Sequence, residues 1–349
     1  MRIVVDGFGK FLGLKGNLLV IKSREGNKSV EVDSFPLSKI EQVIVTGKGS
    51  ISLDLLKKMG EMGTDLVILR GGKVVCKLSS REIGTVKTRK EQYYAHLDER
   101  SGHLAKAFVY SKIRNQYSLL GTIAKSRVDT NPEVSEEIQK KREEIKGVLD
   151  EVSTIEDKRI DEIRSDLMKL EARGAKEYWE SISLIIPEEI GFSGRRGIGD
   201  SPRYAKDGFN ASLNLGYSLL EGVVWRAVQI SGLDPYGGFL HVDRPGRASM
   251  VLDVMEEFRQ QLVDRVIIPV FTKREITEED FSYEGKVCML GEKARRLVIS
   301  RVLGKIENGT VYYRNSRIKW DDLILKKCRE IVKYLRREIG EYRPFYLRW

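Results

Sequence analysis

The sequence contains little of several residue types that mark specialised classes of protein. Its 349 residues include only 3 cysteines and 8 prolines. Cys76, Cys288 and Cys328 lie far apart without metal-ligand spacing, which argues against a zinc finger or a disulfide framework. The low proline content excludes collagen-like and Pro-rich disordered chains. No apolar run approaches the roughly 18 residues that span a bilayer, and the first ten residues lack a secretory apolar core. We therefore expect a reduced, cytoplasmic protein without a membrane segment.

The chain has enough apolar material for a core, and its surface charge is predominantly basic. Hydrophobic residues make up 41% and charged residues 32%, and 61 Lys and Arg against 51 Asp and Glu give a net charge of +10. An excess of this sign favours a polyanionic partner such as nucleic acid, because Lys and Arg that contact phosphates release condensed counterions. Many soluble proteins are equally basic without binding nucleic acid. Aromatic residues at 342–346 can stack on unpaired bases or anchor the end of the chain in the core.

The sequence pattern changes near residue 85. Residues 1–85 contain short β-type runs separated by Gly and Asn turns, with one helix predicted at 52–60. From about residue 88 the hydrophobic periodicity is helical. We predict an α+β multidomain protein in which a small β-rich N-terminal domain (1–85) precedes an all-α domain (86–349). The main predicted helices cover 105–120, 132–182 with one break near residue 153, 211–232, 250–267 and 320–338. The sequence contains no Walker, Rossmann or zinc-finger motif.

One acid lies on an otherwise apolar helix face. In the segment LEARGAKEYW, Glu171 shares its face with Leu167, Ala175 and Tyr178. Because a buried carboxylate costs several kcal/mol unless something pairs with it, a partner is expected. Two hypotheses remain open from the residues alone: a salt bridge to Lys or Arg, or a metal ligand.

A second candidate combines His241 with a group of acids that follows it. Asp253, Glu256 and Glu257 lie at i, i+3 and i+4 of the helix predicted at 250–267. Acids this close repel one another unless a cation compensates. Carboxylates suit Mg²⁺, and one imidazole added to them shifts the preference toward Mn²⁺. The alternatives are a structural histidine and a solvated acidic face with Arg259 as an intrahelical partner.

These segments together resemble one family. Their order and spacing are specific: LEARGAKEYW, DGFNASLNLGYSLLEG and GFLHVDRPGRASMVLDVMEEFR, with MRIVVDGFG and VDSFPLSKIEQVIVTGKGSIS near the start. They resemble the CRISPR-associated integrase that captures new spacers, the universal adaptation nuclease family, over nearly the whole chain. The resemblance implies a β-rich domain that dimerises and a helical domain that is catalytic. It also implies a divalent ion, Mg²⁺ or Mn²⁺, held by Glu171, His241 and Glu256, with Asp253 as an accessory ligand or an orienting group.

The resemblance also implies a reaction and partners. The 3′-hydroxyl of a captured DNA fragment attacks a phosphodiester at the edge of a CRISPR repeat, and water in place of that hydroxyl gives nuclease activity. The implied partners are double-stranded DNA with 3′ ends, CRISPR repeat DNA, a second copy of the chain and a small ferredoxin-like adaptation protein. Two alternatives stay open: a purely hydrolytic structure-specific DNase, and an architectural DNA-binding subunit whose acids are structural.

Six further residues are candidates for contacts with DNA. Arg244, Arg247 and Arg259 surround the implied ligands in sequence, and salt bridges to Asp243 or Glu257 are the alternative role for each. Three polar side chains fall at i, i+4 and i+7 of another predicted helix: Asn210, Asn214 and Tyr217. They can position a DNA strand or the catalytic helices. Structural hydrogen bonds between helices are the simpler interpretation of the asparagines.

Overall fold

The structure is a computed structural model that describes residues 1–25, 28–79, 86–195 and 205–347. The chain divides into two compact units, Met1–Ile83 and Gly84–Trp349. The predicted boundary at residue 85 lies in the stretch 80–85, which is outside the described residues.

The first unit is rich in strands, as predicted. Its described residues form two four-stranded sheets, with strand orders β1-β5-β7-β8 and β4-β3-β2-β6. Strands β1, β5 and β7 run parallel, and β8 is antiparallel to β7. One helix, α1, begins after Ser52, whose side chain accepts from the N–H of Leu55. The elements are β1 (Arg2–Val5), β2 (Lys10–Lys15), β3 (Leu18–Glu25), β4 (Lys28–Pro36), β5 (Gln42–Val45), β6 (Gly49–Ile51), α1 (Leu53–Met62), β7 (Asp65–Arg70) and β8 (Lys73–Leu78).

The second unit is helical, which confirms the predicted order of a β-rich part followed by a helical part. Its helices are α2 (Val86–Tyr94), α3 (Arg100–Lys125), α4 (Pro132–Thr154), α5 (Ile160–Ser183), α6 (Gly208–Ile230), α7 (Ser249–Met255), α8 (Arg265–Thr272), α9 (Glu292–Asn308) and α10 (Trp320–Leu335). No helix of the described residues is long and apolar enough to cross a bilayer.

Two antiparallel hairpins interrupt the helical unit and were not predicted. They pair β9 (Phe281–Glu284) with β10 (Val287–Leu290), and β11 (Thr310–Tyr313) with β12 (Ser316–Lys319). The second hairpin turns at Arg314 and Asn315, which both have positive φ, 45° and 67°. Two consecutive residues with positive φ are typical of the type I′ turn that matches the twist of paired strands.

The segment predicted as one helix over 250–267 is wrong in detail. Helix α7 ends at Met255, a π-helical turn covers Gln260–Asp264, and α8 begins at Arg265. The polar side chains of this turn are buried and only partly paired: Gln261 Nε2 donates to Asn115 Oδ1 at 3.2 Å, whereas Oε1 of Gln260 and of Gln261 accepts no hydrogen bond. Such π-helical turns occur frequently at functional sites.

Close packing of α3 against α5 brings a lysine of α3 beside Glu171. A Cβ atom built on Gly174 would lie 3.3 Å from Cγ1 of Ile113, so only a residue without a side chain fits this approach comfortably. Ile113 is fully buried, and the preceding residue on α3 is Lys112. Glu171 lies nearly one turn before Gly174 on α5.

Candidate metal centre

The carboxylate of Asp253 fixes the position of the loop that carries His241. Asp253 Oδ2 accepts from the N–H groups of Phe239 at 2.6 Å and Leu240 at 3.0 Å, and Oδ1 accepts from His241 N at 3.1 Å. The loop lies so close to α7 that a Cβ atom on Gly238 would come within 2.5 Å of Ser249 Cβ. Asp253 is fully buried. It therefore ties the loop to α7 through three backbone groups.

Asp253 also orients the imidazole of His241. His241 Nδ1 lies 2.6 Å from Asp253 Oδ1. With its proton on Nδ1, the ring donates to the carboxylate and presents the lone pair of Nε2 on its other side. Nε2 lies 4.0 Å from Glu256 Oε1. The resemblance left two roles open for Asp253, and its hydrogen bonds to the loop and to the imidazole match those of a group that orients a histidine.

Glu256 is held as a buried carboxylate by two cations. Burial acts to raise its pKa, but Arg259 and Lys112 lower the pKa to about 2. Arg259 Nε donates to Glu256 Oε1 at 3.1 Å. The other oxygen, Oε2, is buried and accepts no well-aligned hydrogen bond, although Lys112 Nζ lies 3.1 Å from it.

Lys112 joins Glu256 to Glu171. Its ammonium donates to Glu171 Oε1 and also pairs with Glu256 Oε2. All three side chains are largely buried: 15% of Lys112, 12% of Glu171 and 3% of Glu256 is exposed. One of the two hypotheses for Glu171, an ion pair with a lysine, is therefore present in the structure. Because the same lysine reaches Glu256, this pair lies inside the candidate metal centre rather than apart from it.

The chemical types of these side chains fit a divalent ion, but their positions do not form a complete metal site. Among the residues described, no three His, Cys, Asp or Glu side chains are grouped closely enough to hold a metal directly. The Lys112 ammonium instead lies between Glu171 and Glu256, and His241 Nε2 lies 4.0 Å from Glu256 Oε1. Two carboxylates and one imidazole suit Mg²⁺ or Mn²⁺. The buried Oε2 of Glu256 accepts no well-aligned hydrogen bond and pairs with the Lys112 ammonium at 3.1 Å, so a cation already lies beside this oxygen.

The solvated-face interpretation of the three acids is wrong. Asp253, Glu256 and Glu257 are 0%, 2% and 0% exposed. Glu257 binds the end of the chain, where its carboxylate accepts from Tyr342 OH and from Phe345 N. Glu256 and Glu257, adjacent in the turn that follows α7, thus have different partners.

The three candidate arginines lie in different surroundings. Arg244 is exposed, and Arg247 is half-buried. Burial and the charge of Arg244 lower the pKa of Arg247, whereas Asp253, Glu171 and Glu256 act to raise it, which places Arg247 near the centre. Arg259 pairs with Glu256 and lies over the ring of Tyr217, 4.8 Å from its centroid. Arg259 is therefore engaged within the protein.

The polar residues of α6 make hydrogen bonds inside the unit. The side-chain oxygens of Asn210 and Asn214 each accept from Arg195 Nη1 at 3.0 Å. Tyr217 OH donates to Asp264 Oδ1 at 2.6 Å. The two asparagines therefore make structural hydrogen bonds, although to a loop residue and not to another helix, and contacts with DNA remain a prediction.

Sequence reasoning missed Lys112 and Asp264. A signal for Lys112 exists, since Phe108, Gln116 and Leu119 share its helix face and are all buried. A single lysine on such a face needs a buried acid. Asp264 carries no comparable local signal. Anchoring of the chain end, one of the two roles considered for the aromatic residues at 342–346, is present, since Tyr342 and Phe345 are buried.

Comparison with known proteins identifies the family. The family model for CRISPR associated protein Cas1 matches residues 3–303. The chain is 44% identical to the CRISPR-associated endonuclease Cas1 1 of Archaeoglobus fulgidus, over 351 aligned residues and all of both chains. Among solved structures, a casposase bound to integration product has a TM-score of 0.83 at 24% identity, covering 97% of this chain and 92% of that one. A Cas6-RT-Cas1–Cas2 complex has a TM-score of 0.79 at 19% identity, covering 99% of this chain and 36% of that one. The chain belongs to the Cas1 family of CRISPR-associated proteins.

Proposed function

We propose that this chain is a metal-dependent DNA endonuclease and integrase of CRISPR adaptation. In this proposal it inserts captured DNA fragments into a CRISPR array by attack of a 3′-hydroxyl on a phosphodiester. The observation that carries the proposal is a buried cluster from separate segments, in which Lys112 links Glu171 to Glu256 and His241 Nε2 lies 4.0 Å from Glu256. The full-length relative named an endonuclease and the fold shared with an integrating casposase support it.

The residues of the chain have distinct roles in this reaction. A bound Mg²⁺ or Mn²⁺ would stabilise the negative charge that develops on the phosphate oxygens. Glu171, Glu256 and His241 Nε2 would hold it. Asp253 keeps His241 in the tautomer that leaves Nε2 unprotonated. Arg259 and the other cations keep Glu256 ionised. Arg247, half-buried near these acids, is the arginine we assign to a phosphate of the DNA.

The proposed partners are DNA, a second copy of the chain and a small ferredoxin-like adaptation protein, in the cytoplasm. The net charge of +10 supports binding to DNA. Edge strands β4 and β8 of the first unit expose apolar side chains, with Val32 49% and Val75 57% exposed, which supports a dimer through that unit. The Cas6-RT-Cas1–Cas2 neighbour is named as a complex with a further Cas protein, which supports a partner subunit.

One assay separates the proposal from its two alternatives. The full chain is incubated with a 3′-hydroxyl DNA duplex and a supercoiled target in Mg²⁺ or Mn²⁺, with and without a candidate partner protein. Joined products support the integrase, and cut products without joining support the hydrolytic DNase. Intact DNA that is nevertheless bound supports the architectural role.

Single substitutions test the centre itself. Glu171→Gln, His241→Ala and Glu256→Gln should each abolish metal-dependent cutting and joining while most DNA binding remains. Gln is used because it keeps the volume and one acceptor oxygen of each buried side chain. The matched control is Asp166→Asn, an exposed acid on the same helix as Glu171, which should retain activity. If every variant of the centre unfolds, the acids are structural and the proposal is wrong.

A further inference from the structure

The most unusual feature of the centre is a lysine between two acids of the proposed metal site. Lys112 Nζ lies 3.1 Å from Glu256 Oε2 and also donates to Glu171 Oε1. The acids lie on α5 and beside the end of α7, and the lysine lies on α3. The ammonium therefore links the two carboxylates that three separate helices bring together.

The ammonium is largely buried and forms an ion pair with each of the two acids, since only 15% of the Lys112 side chain is exposed. Lys112 and Arg259 together supply two positive charges to Glu171 and Glu256. These two acids are therefore already neutralised in the structure.

A divalent ion and this ammonium exclude each other from the position between the carboxylates. Mg²⁺ lies about 2.0–2.1 Å from its oxygen ligands, well inside the distance at which an ammonium contacts a carboxylate. An ion that bound both Glu171 and Glu256 would occupy the space that the Lys112 nitrogen now fills. Two cations in that space would also repel strongly in a buried site.

We propose that Lys112 is an internal cation that occupies the position of the metal between Glu171 and Glu256 and must move away when a divalent ion binds. This inference rests on the proposed metal site and adds a regulatory competition to it. Lys112 keeps the two buried acids together without metal and lowers the apparent affinity of the centre for metal. Its displaced ammonium, on a flexible four-carbon stem, then becomes available to a phosphate oxygen of the DNA.

The test compares Mn²⁺ binding by the wild-type chain and by Lys112→Met, measured by calorimetry without DNA. Methionine keeps most of the length of the side chain and removes the charge. We expect the dissociation constant for Mn²⁺ to fall by at least about tenfold, because a competing positive charge is lost. Without metal, the variant should unfold at a lower temperature than the wild type. Added Mn²⁺ should raise its unfolding temperature by more than it raises that of the wild type.

A matched control lies on the same helix. Lys106 pairs with Asp157 and donates to Ile155 O, away from the candidate centre. Lys106→Met also removes one partly buried ion pair from α3, but it should leave the Mn²⁺ affinity unchanged. If Lys112→Met binds Mn²⁺ no more tightly than the wild type, while Glu256→Gln abolishes binding, the competition is refuted and the metal site stands. If no variant and no wild-type chain binds Mn²⁺, the proposed metal site falls together with this inference.

A second measurement uses the wild-type chain and does not depend on the folding of a variant. Lysine labelled with ¹³C at Cε gives a resonance for Lys112, assigned by its loss in Lys112→Arg. We expect this resonance to move when Mg²⁺ is added to saturation and the Lys106 resonance to stay in place. A Lys112 resonance that is unchanged at saturating Mg²⁺ would overturn the proposal.

Discussion

Substitution of Glu257 is the sharpest test of how this structure divides its acids. Glu257 is adjacent to the proposed ligand Glu256, and from sequence alone it would be the natural inert control. Its carboxylate is instead fully buried, accepting from Tyr342 OH and, at 2.6 Å, from Phe345 N. We therefore expect Glu257→Ala to destabilise the helical unit without removing a metal ligand.

The magnitude follows from the donors that the substitution leaves behind. Tyr342 OH and Phe345 N would both be buried without an acceptor, and each such donor costs about 1–3 kcal/mol. The free energy of unfolding should therefore fall by about 2–6 kcal/mol for Glu257→Ala. Glu257→Gln keeps one acceptor oxygen and should cost about half as much. For a unit of this size, about 3 kcal/mol corresponds to a fall in Tm of roughly 10 °C.

The assay combines unfolding with metal binding. Thermal and urea unfolding give the change in stability, and limited proteolysis reports whether the chain end has become accessible. Glu143→Ala is the control, because Glu143 is an exposed acid on α4 with 62% of its side chain accessible. That variant should stay within about 0.5 kcal/mol of the wild type. Mn²⁺ affinity is measured in the same preparations.

Two results would refute this reasoning in different ways. If Glu257→Ala unfolds at the same temperature and urea concentration as the wild type, the buried contacts to Tyr342 and Phe345 contribute nothing to stability. If Glu257→Gln folds normally but loses Mn²⁺ while Glu256→Gln keeps it, the ligand is Glu257 and the assignment is off by one residue. The expected pattern is the reverse: Glu257 variants lose stability and Glu256 variants lose metal.

Further predictions concern pH, salt and assembly. Burial raises the pKa of Asp264 to about 6, against hydrogen bonds from Tyr217 and Tyr178 that lower it. Because the folded chain then holds this proton more tightly than the unfolded chain, stability should fall by about 2–3 kcal/mol as pH rises from 4 to 8. The free energy of unfolding of Asp264→Asn, measured by urea unfolding at several pH values, should not show this fall. If it falls with pH as much as that of the wild type, Asp264 is not the source of the pH dependence. DNA affinity should fall roughly tenfold or more between about 50 and 200 mM salt, and a flat response in a binding titration would exclude phosphate contacts as its source. Sedimentation at micromolar concentration should show a dimer, and a monomer would contradict the proposed assembly.

Helix ends that are fixed by residues close in the sequence were predictable. The break between α4 and α5 was expected near residue 153 and is observed after Thr154. Helix α4 begins as its sequence indicates, with Asn131 capping the N–H of Val134 and Pro132 in the first turn. The strands of the first unit depend on pairing as well: β2 lies between β3 and β6 and is stabilised by these neighbours.

The candidate centre was predictable only in part. Helical periodicity placed Glu171 on a buried face and required a partner for it, but could not say which one. Lys112 stands 59 residues earlier in the chain, and only the packing of α3 against α5 brings the two together. Periodicity also could not choose between Glu256 and Glu257. The preference for Glu256 came from the family resemblance.

The contrast between Glu256 and Glu257 gives the chain end a structural role beside the candidate centre. In the turn that follows α7, Glu256 lies near His241 and the next residue, Glu257, binds Phe345. The chain end also holds α3: Ser111 and Asn115, which flank Lys112, both donate to Phe345 O. Residues 342–347 thus contact α3, which carries Lys112, and Glu257, which follows Glu256 in the chain. The match to the Cas1 family model covers residues 3–303, so these contacts come from beyond the matched region. Docking of the chain end therefore stabilises the two segments beside the candidate centre, which is why loss of the Glu257 contacts should lower stability.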